Sequence, residues 1–563
     1  MKIMKMNLKN LFILIVVAIT TLVLGCKEEE VSYPRTRLWK PSLATGNMIS
    51  DANTIIVNLT KEVGALNYKF EVSRDTFQTI DYQFEADTNY LVIDETVTGE
   101  ELLWYTIYQV RVTAFADEDE YNSLPSNLGS VRTEKFPSNQ IAPESNDMLD
   151  TKVKVEWENV GDPINKLGIF AATDVRLKRP LSFANVSDEE NTAGVKILEG
   201  LEPKTTYQIA LYSGNDELRG WEFYTTVESI YNLNGDHTRD LTTNTDPDAV
   251  VNLYPVLNDG DTIVLNKGFQ YNLPPSEVPA NKSITFVGEI DFADSLARLY
   301  TEGNWKLAGG AVIDHIRFIN LELRGQDYTG DYVMNNDESA TVNEIVFQDC
   351  EINHFRGLMR MKDQAEVALT TYKIDNCVVH QIGGYGIITV DNKLSTVQDI
   401  IVTNSTFVNV EMGITSYLDI GSITIDGVTA NNFPRYGRWI IRLREDTEGN
   451  IAQVTGGVTI SNSIFGRAWD QASQTWEFSP LAGGDETNFS ISNVWGTEEL
   501  LFGTPLDGFP SSVYEGTTDE LWIYPNARDG LEFAEDEQMN MNFKDTGFGG
   551  RTNSGDPKWR TEL

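Results

Sequence analysis

Phe347-Gln-Asp349-Cys350, Ile374-Asp-Asn376-Cys377, Val402-Thr-Asn404-Ser405, Ile425-Asp426-Gly-Val428, Ile460-Ser-Asn462-Ser463 and Ile491-Ser-Asn493-Val494 repeat one short pattern between Val342 and Trp495. An earlier copy is Phe318-Ile-Asn320-Leu321. The Asn or Asp positions 320, 349, 376, 404, 426, 462 and 493 stand 29, 27, 28, 22, 36 and 31 residues apart. A period in the twenties and thirties, built on alternating β-formers, predicts a solenoid. Such strands cannot bury their apolar faces alone, so each coil stacks on the next. One Asn or Asp per coil suits a sharp bend, because these side chains tolerate the left-handed region and cap backbone groups. Small residues follow four of the bends (Cys350, Cys377, Ser405, Ser463), which fits a tight interior corner.

Upstream, the chain reads Val250-Val-Asn-Leu253, then Asp259-Gly-Asp-Thr262-Ile-Val-Leu265, Tyr271-Asn-Leu273 and Ser283-Ile-Thr-Phe-Val-Gly288. A helix-like cap, a Gly-Asp turn and short apolar strands resemble the first coil of the pectate-lyase-like right-handed parallel β-helices. Capping has a physical purpose, since an open end would expose apolar core and unpaired strand edges. The resemblance spans residues 246–500. It implies architecture more than activity, because the fold hosts lyases, hydrolases, epimerases and phage tailspikes. Beyond residue 500 the period fades, and residues 501–563 are expected to cap the helix and fold back on it.

Before the solenoid lie two all-β stretches, residues 33–135 and 136–227, followed by a polar linker from Asn232 to Asp248. Tyr108-Gln-Val-Arg-Val-Thr-Ala114 with Val131-Arg-Thr133 resembles the closing strands of a fibronectin type III sandwich. In the second stretch Val153-Lys-Val-Glu-Trp157 looks like an early strand of that family, and Leu201-Glu-Pro-Lys-Thr-Thr-Tyr207 looks like its turn-tyrosine signature. The resemblance implies that Tyr207 packs inward and returns its hydroxyl to the preceding turn. The fold class expected is therefore all-β: two fibronectin type III-like sandwiches followed by a right-handed parallel β-helix. The sandwiches read as spacers, with a lectin-like role as the alternative.

At the N-terminus Lys2 and Lys5 precede an apolar run, Leu11 to Leu24, that ends Gly25-Cys26. A charged start, an apolar segment too short for a comfortable span and a small residue before Cys resemble a bacterial lipoprotein signal. Residues 1–25 would be removed and Cys26 lipidated. The acidic tether at 26–32, with Lys27-Glu-Glu-Glu30, resembles the export tag of surface lipoproteins in Bacteroidota. Together with Asp556-Pro-Lys-Trp559, the arrangement resembles uncharacterised lipoproteins of Bacteroidota polysaccharide-utilisation systems. That implies an outer-membrane, lipid-anchored protein facing the exterior, with polysaccharide as its partner and outer-membrane glycan-import proteins beside it.

Composition narrows the partners. The formal net charge is −40, from 84 acidic against 44 basic residues, which argues against nucleic acid. It also disfavours a polyanion unless basic residues are locally concentrated or a cation bridges. Three cysteines cannot build a disulfide framework. Four histidines, scattered at 237, 315, 354 and 380, make a His-based metal site or a Ser-His-Asp triad poor readings. Cys350 and Cys377 occupy equivalent places on adjacent coils, and either a disulfide or a pair of buried thiols fits that spacing.

A functional face emerges when the segments after each bend are aligned on glycines 357, 386, 413 and 437. Strand side chains alternate faces. The outward set is then Arg360, Lys362, Thr389, Asp391, Ser416, Leu418, Arg442 and Arg444, four of them basic in an acidic chain. This stripe reads as a groove for a uronate-containing polysaccharide, with guanidiniums pairing its carboxylates. Arg360, Lys362, Tyr385, Asp391, Arg442 and Arg444 are the expected substrate-binding residues. The rival reading is a Ca²⁺-dependent polysaccharide lyase, in which Lys362 removes the α-proton, Arg442 clamps the carboxylate, and Asp363, Asp391 and Asn392 hold Ca²⁺. Lys362 and Arg442 lie three coils apart, roughly 14 Å, which suits two sugar subsites better than one catalytic centre. Tyr385, Tyr417, Tyr436, Trp439, Trp469 and Trp476 offer rings for sugar stacking, with coil packing preferred for Trp439. A structural or adhesin stalk is the third reading, in which the basic stripe merely pairs with Asp391, Glu445 and Asp446.

Overall fold

The computed structural model describes residues 35–44, 46–214, 216–469, 477–525 and 539–561. The signal at 1–25, the tether with Cys26, and Trp476 lie outside the described residues. Among the described residues, no helix is long and apolar enough to cross a membrane. The chain divides into two compact units, one reaching Thr226 and one from Val227 onward with Leu149–Lys152.

The first unit holds two β-sandwiches. In the first, strands Tyr82–Ala86, Asn67–Ser73, Ile107–Phe115 and Ser126–Arg132 form an antiparallel sheet, and Ile49–Asp51, Thr54–Asn58 and Tyr90–Ile93 form the other layer. Alternation in Tyr108, Val110 and Val112 sends each of these fully buried side chains to the core shared with Ile55 and Val57. The second sandwich orders Pro180–Asn185, Ile164–Ala171, Thr206–Ser213 and Glu217–Thr225 in one sheet, and pairs Val195–Leu198 with Val153–Glu156 in the other. The Glu202 amide donates to the Tyr207 hydroxyl at 2.9 Å, as the turn-tyrosine reading requires. Tyr108 accepts from the Leu103 amide at 2.9 Å, so both sandwiches carry the same corner.

The second unit is a parallel β-helix. One ladder runs from Thr238–Leu241 to Ser512–Tyr514, so the coils begin before residue 246 and continue past residue 500. Helix Ala249–Leu253 turns Ala249 and Val250 onto the open first coil. Inside, equivalent side chains stack. The rings of Phe286, Phe318 and Phe347 lie 5.3 and 5.2 Å apart and nearly parallel, beside fully buried Trp305.

The bends are where the sequence places them. Asn320, Asp349, Asn376, Asn404, Asn462 and Asn493 all have φ between 47° and 54°. At the remaining bend the left-handed residue is Gly427 (φ 66°), one place after Asp426. Asp426 still serves the ladder, accepting from the Asn462 side chain at 2.8 Å, as Asp349 does from Asn376. The small residues also bond from coil to coil: the Cys377 amide donates to Ser405 Oγ, and the Cys350 amide faces Cys377 Sγ at 3.4 Å. Cys350 and Cys377 are buried and free.

A second corner was not legible in the sequence. His354, Gln381, Asn409 and Asn432 take φ between 50° and 60°, at intervals of 27, 28 and 23 residues. Beyond Tyr514, helix Thr518–Leu521 leads into a hairpin of Trp522–Tyr524 with Asn540–Phe543. The tail then returns along the coils. The Asp556 carboxylate accepts from Thr406 Oγ1 at 2.7 Å, the Asp556 amide donates to Thr429 Oγ1, and Trp559 Nε1 donates to Thr406 Oγ1. This is the fold-back expected of Asp556-Pro-Lys-Trp559.

Candidate functional site

Four consecutive coils build one cleft of about 440 Å³. The strands are Glu351–Met361, Val378–Val390, Ile414–Ser416 and Trp439–Leu443. Ladder pairing sets Arg360, Thr389, Thr415 and Arg442 in one column. This corrects the alignment on glycines. At the third coil the outward positions are Thr415 and its neighbour Tyr417, not Ser416 and Leu418. Ser416 stands in the inward column with Val390 and Leu443, where its hydroxyl donates to Leu418 O at 2.7 Å. The anchor failed because Gly413 lies one residue out of register with Gly386, whose place the third coil fills with Met412. Gly386 has φ 58°, and a Cβ there would sit 2.0 Å from Met412 O, so a close backbone approach selects glycine.

One wall is a strap. The loop at 326–331 crosses the second corner, passing so near Gly383 that a Cβ there would lie 2.8 Å from Tyr328 O. The Tyr328 hydroxyl donates to Glu411 at 2.6 Å, and the other Glu411 oxygen lies 3.3 Å from Arg435. Trp469 stands behind Tyr328, with ring centroids 6.3 Å apart.

Charge is distributed unevenly along the cleft. Arg360 Nε lies 3.2 Å from Asp391, which Nη2 also bonds, and Arg444 approaches the same carboxylate at 3.7 Å. Burial works against the charge on Arg360, yet the Asp391 bond carries its guanidinium above the ordinary value. These two arginines are therefore balanced within the protein. Arg356, Arg438 and Arg442 are not: no carboxylate of a described residue lies within ion-pair distance of them, and all three line the cleft. Burial, then the nearby charges of Arg444 and Arg438, push the Arg442 guanidinium below its ordinary value. Burial is the largest cause, and the two neighbouring arginine charges add to it. Arg356 and Arg360 lie over the Tyr385 ring at 4.7 and 4.2 Å, and Arg442 lies over Trp439 at 4.5 Å.

Of the expected binding residues, Tyr385, Asp391, Arg442 and Arg444 line the cleft, and Arg360 supports it through Asp391 and Tyr385. Lys362 does not line it. Its ammonium bonds Asp363 at 2.8 Å and lies 3.6 Å from Asp337. The Asp363 bond holds Lys362 above its ordinary value, the wrong direction for a general base. Lys362 and Arg442 are not brought together, since they lie in different columns on the two outer coils. Nor do Asp363, Asp391 and Asn392 form one ligand set. Asp363 serves Lys362, Asp391 serves the arginines, and the Asn392 side-chain Oδ1 accepts from the Leu394 and Ser395 amides at 3.0 and 2.8 Å. No group of three or more His, Cys, Asp or Glu suited to a metal occurs among the described residues.

Among the aromatics, Tyr417 lies under Arg444 at 3.9 Å and Tyr436 is exposed. Trp439 is half-buried under Arg442 rather than stacked inside the coils. Tyr328, Arg356, Glu411 and Arg438 were missed by sequence reasoning. Arg356 and Arg438 each adjoin an anchor glycine, and a register shift between Phe355 and Gly357 breaks the alternation there. Tyr328 and Glu411 meet across 83 residues, and no local pattern marks that contact.

Comparison with known proteins adds little. The family described as Domain of unknown function (DUF4957) matches residues 270–410, well short of half the chain. That segment contains Arg356, Tyr385 and Asp391 but stops before Arg442. No curated protein matches. The crystal structure of chicken CNTN1 FN1-FN3 domains aligns at 17% identity over 34% of this chain and 68% of that one, with a TM-score of 0.15. At that score it carries no argument, and the sandwich assignment rests on the sheets described above.

Proposed function

We propose that this chain binds an acidic extracellular polysaccharide in the four-coil cleft. One observation carries the reading. A protein of net charge −40 turns Arg356, Arg438 and Arg442 into one concave surface, with no carboxylate of a described residue within ion-pair distance of any of the three. Buried or half-buried cations are ordinarily paired. Guanidiniums left open in a cleft suit bidentate capture of the carboxylate or sulfate of a sugar. The hydroxyls of Thr389 and Thr415 on the floor suit sugar hydroxyls, and a cleft rather than a flat wall argues for recognition over a bare stalk. Lipid attachment at Cys26 and display at the outer-membrane surface belong to the same proposal, with glycan-import proteins as its neighbours. The lyase reading loses its base, since Lys362 is held by Asp363 outside the cleft, and Ca²⁺ finds no support in the placement of Asp363, Asp391 and Asn392.

The test is affinity electrophoresis of the mature chain in gels containing pectins, alginate or glycosaminoglycans. Retardation by an acidic glycan is expected, and it should be lost in the Arg438→Gln/Arg442→Gln variant. Migration unchanged on every acidic glycan, or retardation that survives the double substitution, defeats the proposal.

A further inference from the structure

The order of charges along the coils carries more than a preference for acid. The backbone of Arg356 belongs to the first of the four coils, and those of Arg438 and Arg442 to the fourth, three ladder steps or roughly 14 Å apart, with the Arg356 guanidinium reaching over Tyr385. The two coils between contribute no lysine or arginine to the lining. They supply Thr389 and Thr415, and two carboxylates, Asp391 and Glu411, whose charges are already answered by arginines. The cleft is therefore positive at both ends and neutral in its middle.

We infer that the cleft selects a glycan whose acidic sugars are separated by neutral ones, rather than a run of consecutive acidic sugars. This rests on the acidic-glycan reading and names the class of chain within it. A chain lying along the coils sets one anion against Arg356 and another against Arg438 and Arg442. The intervening ring meets the hydroxyls of Thr389 and Thr415, which suit sugar hydroxyls. A consecutive polyuronate would press a further carboxylate toward Asp391 or Glu411. That contact is a like-charge juxtaposition where the neighbouring arginines are already engaged by the protein's own carboxylates, and specificity arises from such repulsion as much as from attraction.

Calorimetric titration of the mature chain with oligosaccharides of equal length separates the two classes. One series alternates uronate with a neutral sugar (hyaluronan fragments, rhamnogalacturonan backbone), and the other is consecutive (oligogalacturonate). An alternating ligand is expected to bind at least about tenfold tighter, and Arg356→Gln and Arg442→Gln should each weaken it by about tenfold or more. Equal or tighter binding of the consecutive series overturns the inference while leaving the acidic-glycan reading intact. Alternating binding that either substitution leaves unchanged also overturns it. Failure of both series to bind removes the acidic-glycan reading itself.

Discussion

Replacing Asp391 by Asn should move stability and affinity in opposite directions. In the folded protein this carboxylate bonds Arg360 and lies 3.7 Å from Arg444. The Arg360 and Asp391 side chains are 19% and 21% exposed, between a surface pair and a buried one. Surface pairs contribute about 0–1 kcal/mol, and breaking a buried pair costs about 3–5 kcal/mol, so a loss of roughly 1–2 kcal/mol follows. Binding responds to the same change with the other sign. Removing one negative charge from the middle of the cleft leaves Arg360 and Arg444 without their counterion. For a ligand anion about 6 Å away, in a cleft open to water, the gain is on the order of 1 kcal/mol, or roughly fivefold in affinity. Added salt should shrink that gain, because screening acts on exposed charge. The preference for alternating over consecutive acidic chains should narrow as well. Titration of an acidic glycan at two ionic strengths, beside a thermal melt of each protein, reads all three quantities. Loss of affinity together with loss of stability would refute the reasoning, because it would make Asp391 a direct ligand contact rather than an internal counterion.

Three further outcomes test the rest of the fold. Asn404 has φ 50° and donates to Asp375 at 3.1 Å, so Asn404→Ala should cost about 2–3 kcal/mol, from left-handed strain plus the lost bond. Asn404→Gly keeps the conformation and should cost only about 1 kcal/mol; equal urea midpoints for the two variants would remove the strain argument. Asp556 has its carboxyl pushed up by burial, so the folded state holds that proton more tightly than the unfolded chain. The stability tied to this proton is present below the ordinary Asp range and is lost as pH rises through the folded value. Asp556→Asn, which stays neutral, should therefore gain in melting temperature relative to wild type between pH 4 and pH 7, and a difference independent of pH would refute the assignment. Tyr207→Phe removes the acceptor of the Glu202 amide and should lower the stability of the second sandwich by about 1 kcal/mol, checked by denaturant unfolding.

What could be read from sequence depended on whether chemistry and geometry select the same residue type. At the first corner they do: a left-handed bend with coil-to-coil bonding favours Asn and Asp, so residues 320 to 493 announce themselves. Even the exception is instructive, since Asp426 keeps the bonding role while Gly427 takes the left-handed backbone. At the second corner the backbone is shared but the residue type varies. His354, Gln381, Asn409 and Asn432 have similar φ, and Asn432 donates to Asn409 at 2.8 Å, yet the four positions hold three residue types, so no single letter marks the bend. The cleft lies immediately after that hidden corner, and there strict alternation fails. Arg442, Arg444 and Asp391 were legible because they lie in or just past strand ends that alternate simply. Ser416 was misplaced by a one-residue slip, which in a strand sends a side chain to the other face. Arg356 sits at a register shift, and the Tyr328 strap reaches Glu411 across three coils, a contact that periodicity cannot express. Net charge is silent on the cleft in the same manner, because −40 sums the whole chain while the proposed recognition rests on three guanidiniums in one cleft. In a solenoid the repeat therefore reports what every coil must do alike, and the proposed site lies where neighbouring coils differ: Arg360 and Arg442 stand at the ends of a column whose middle members are threonines.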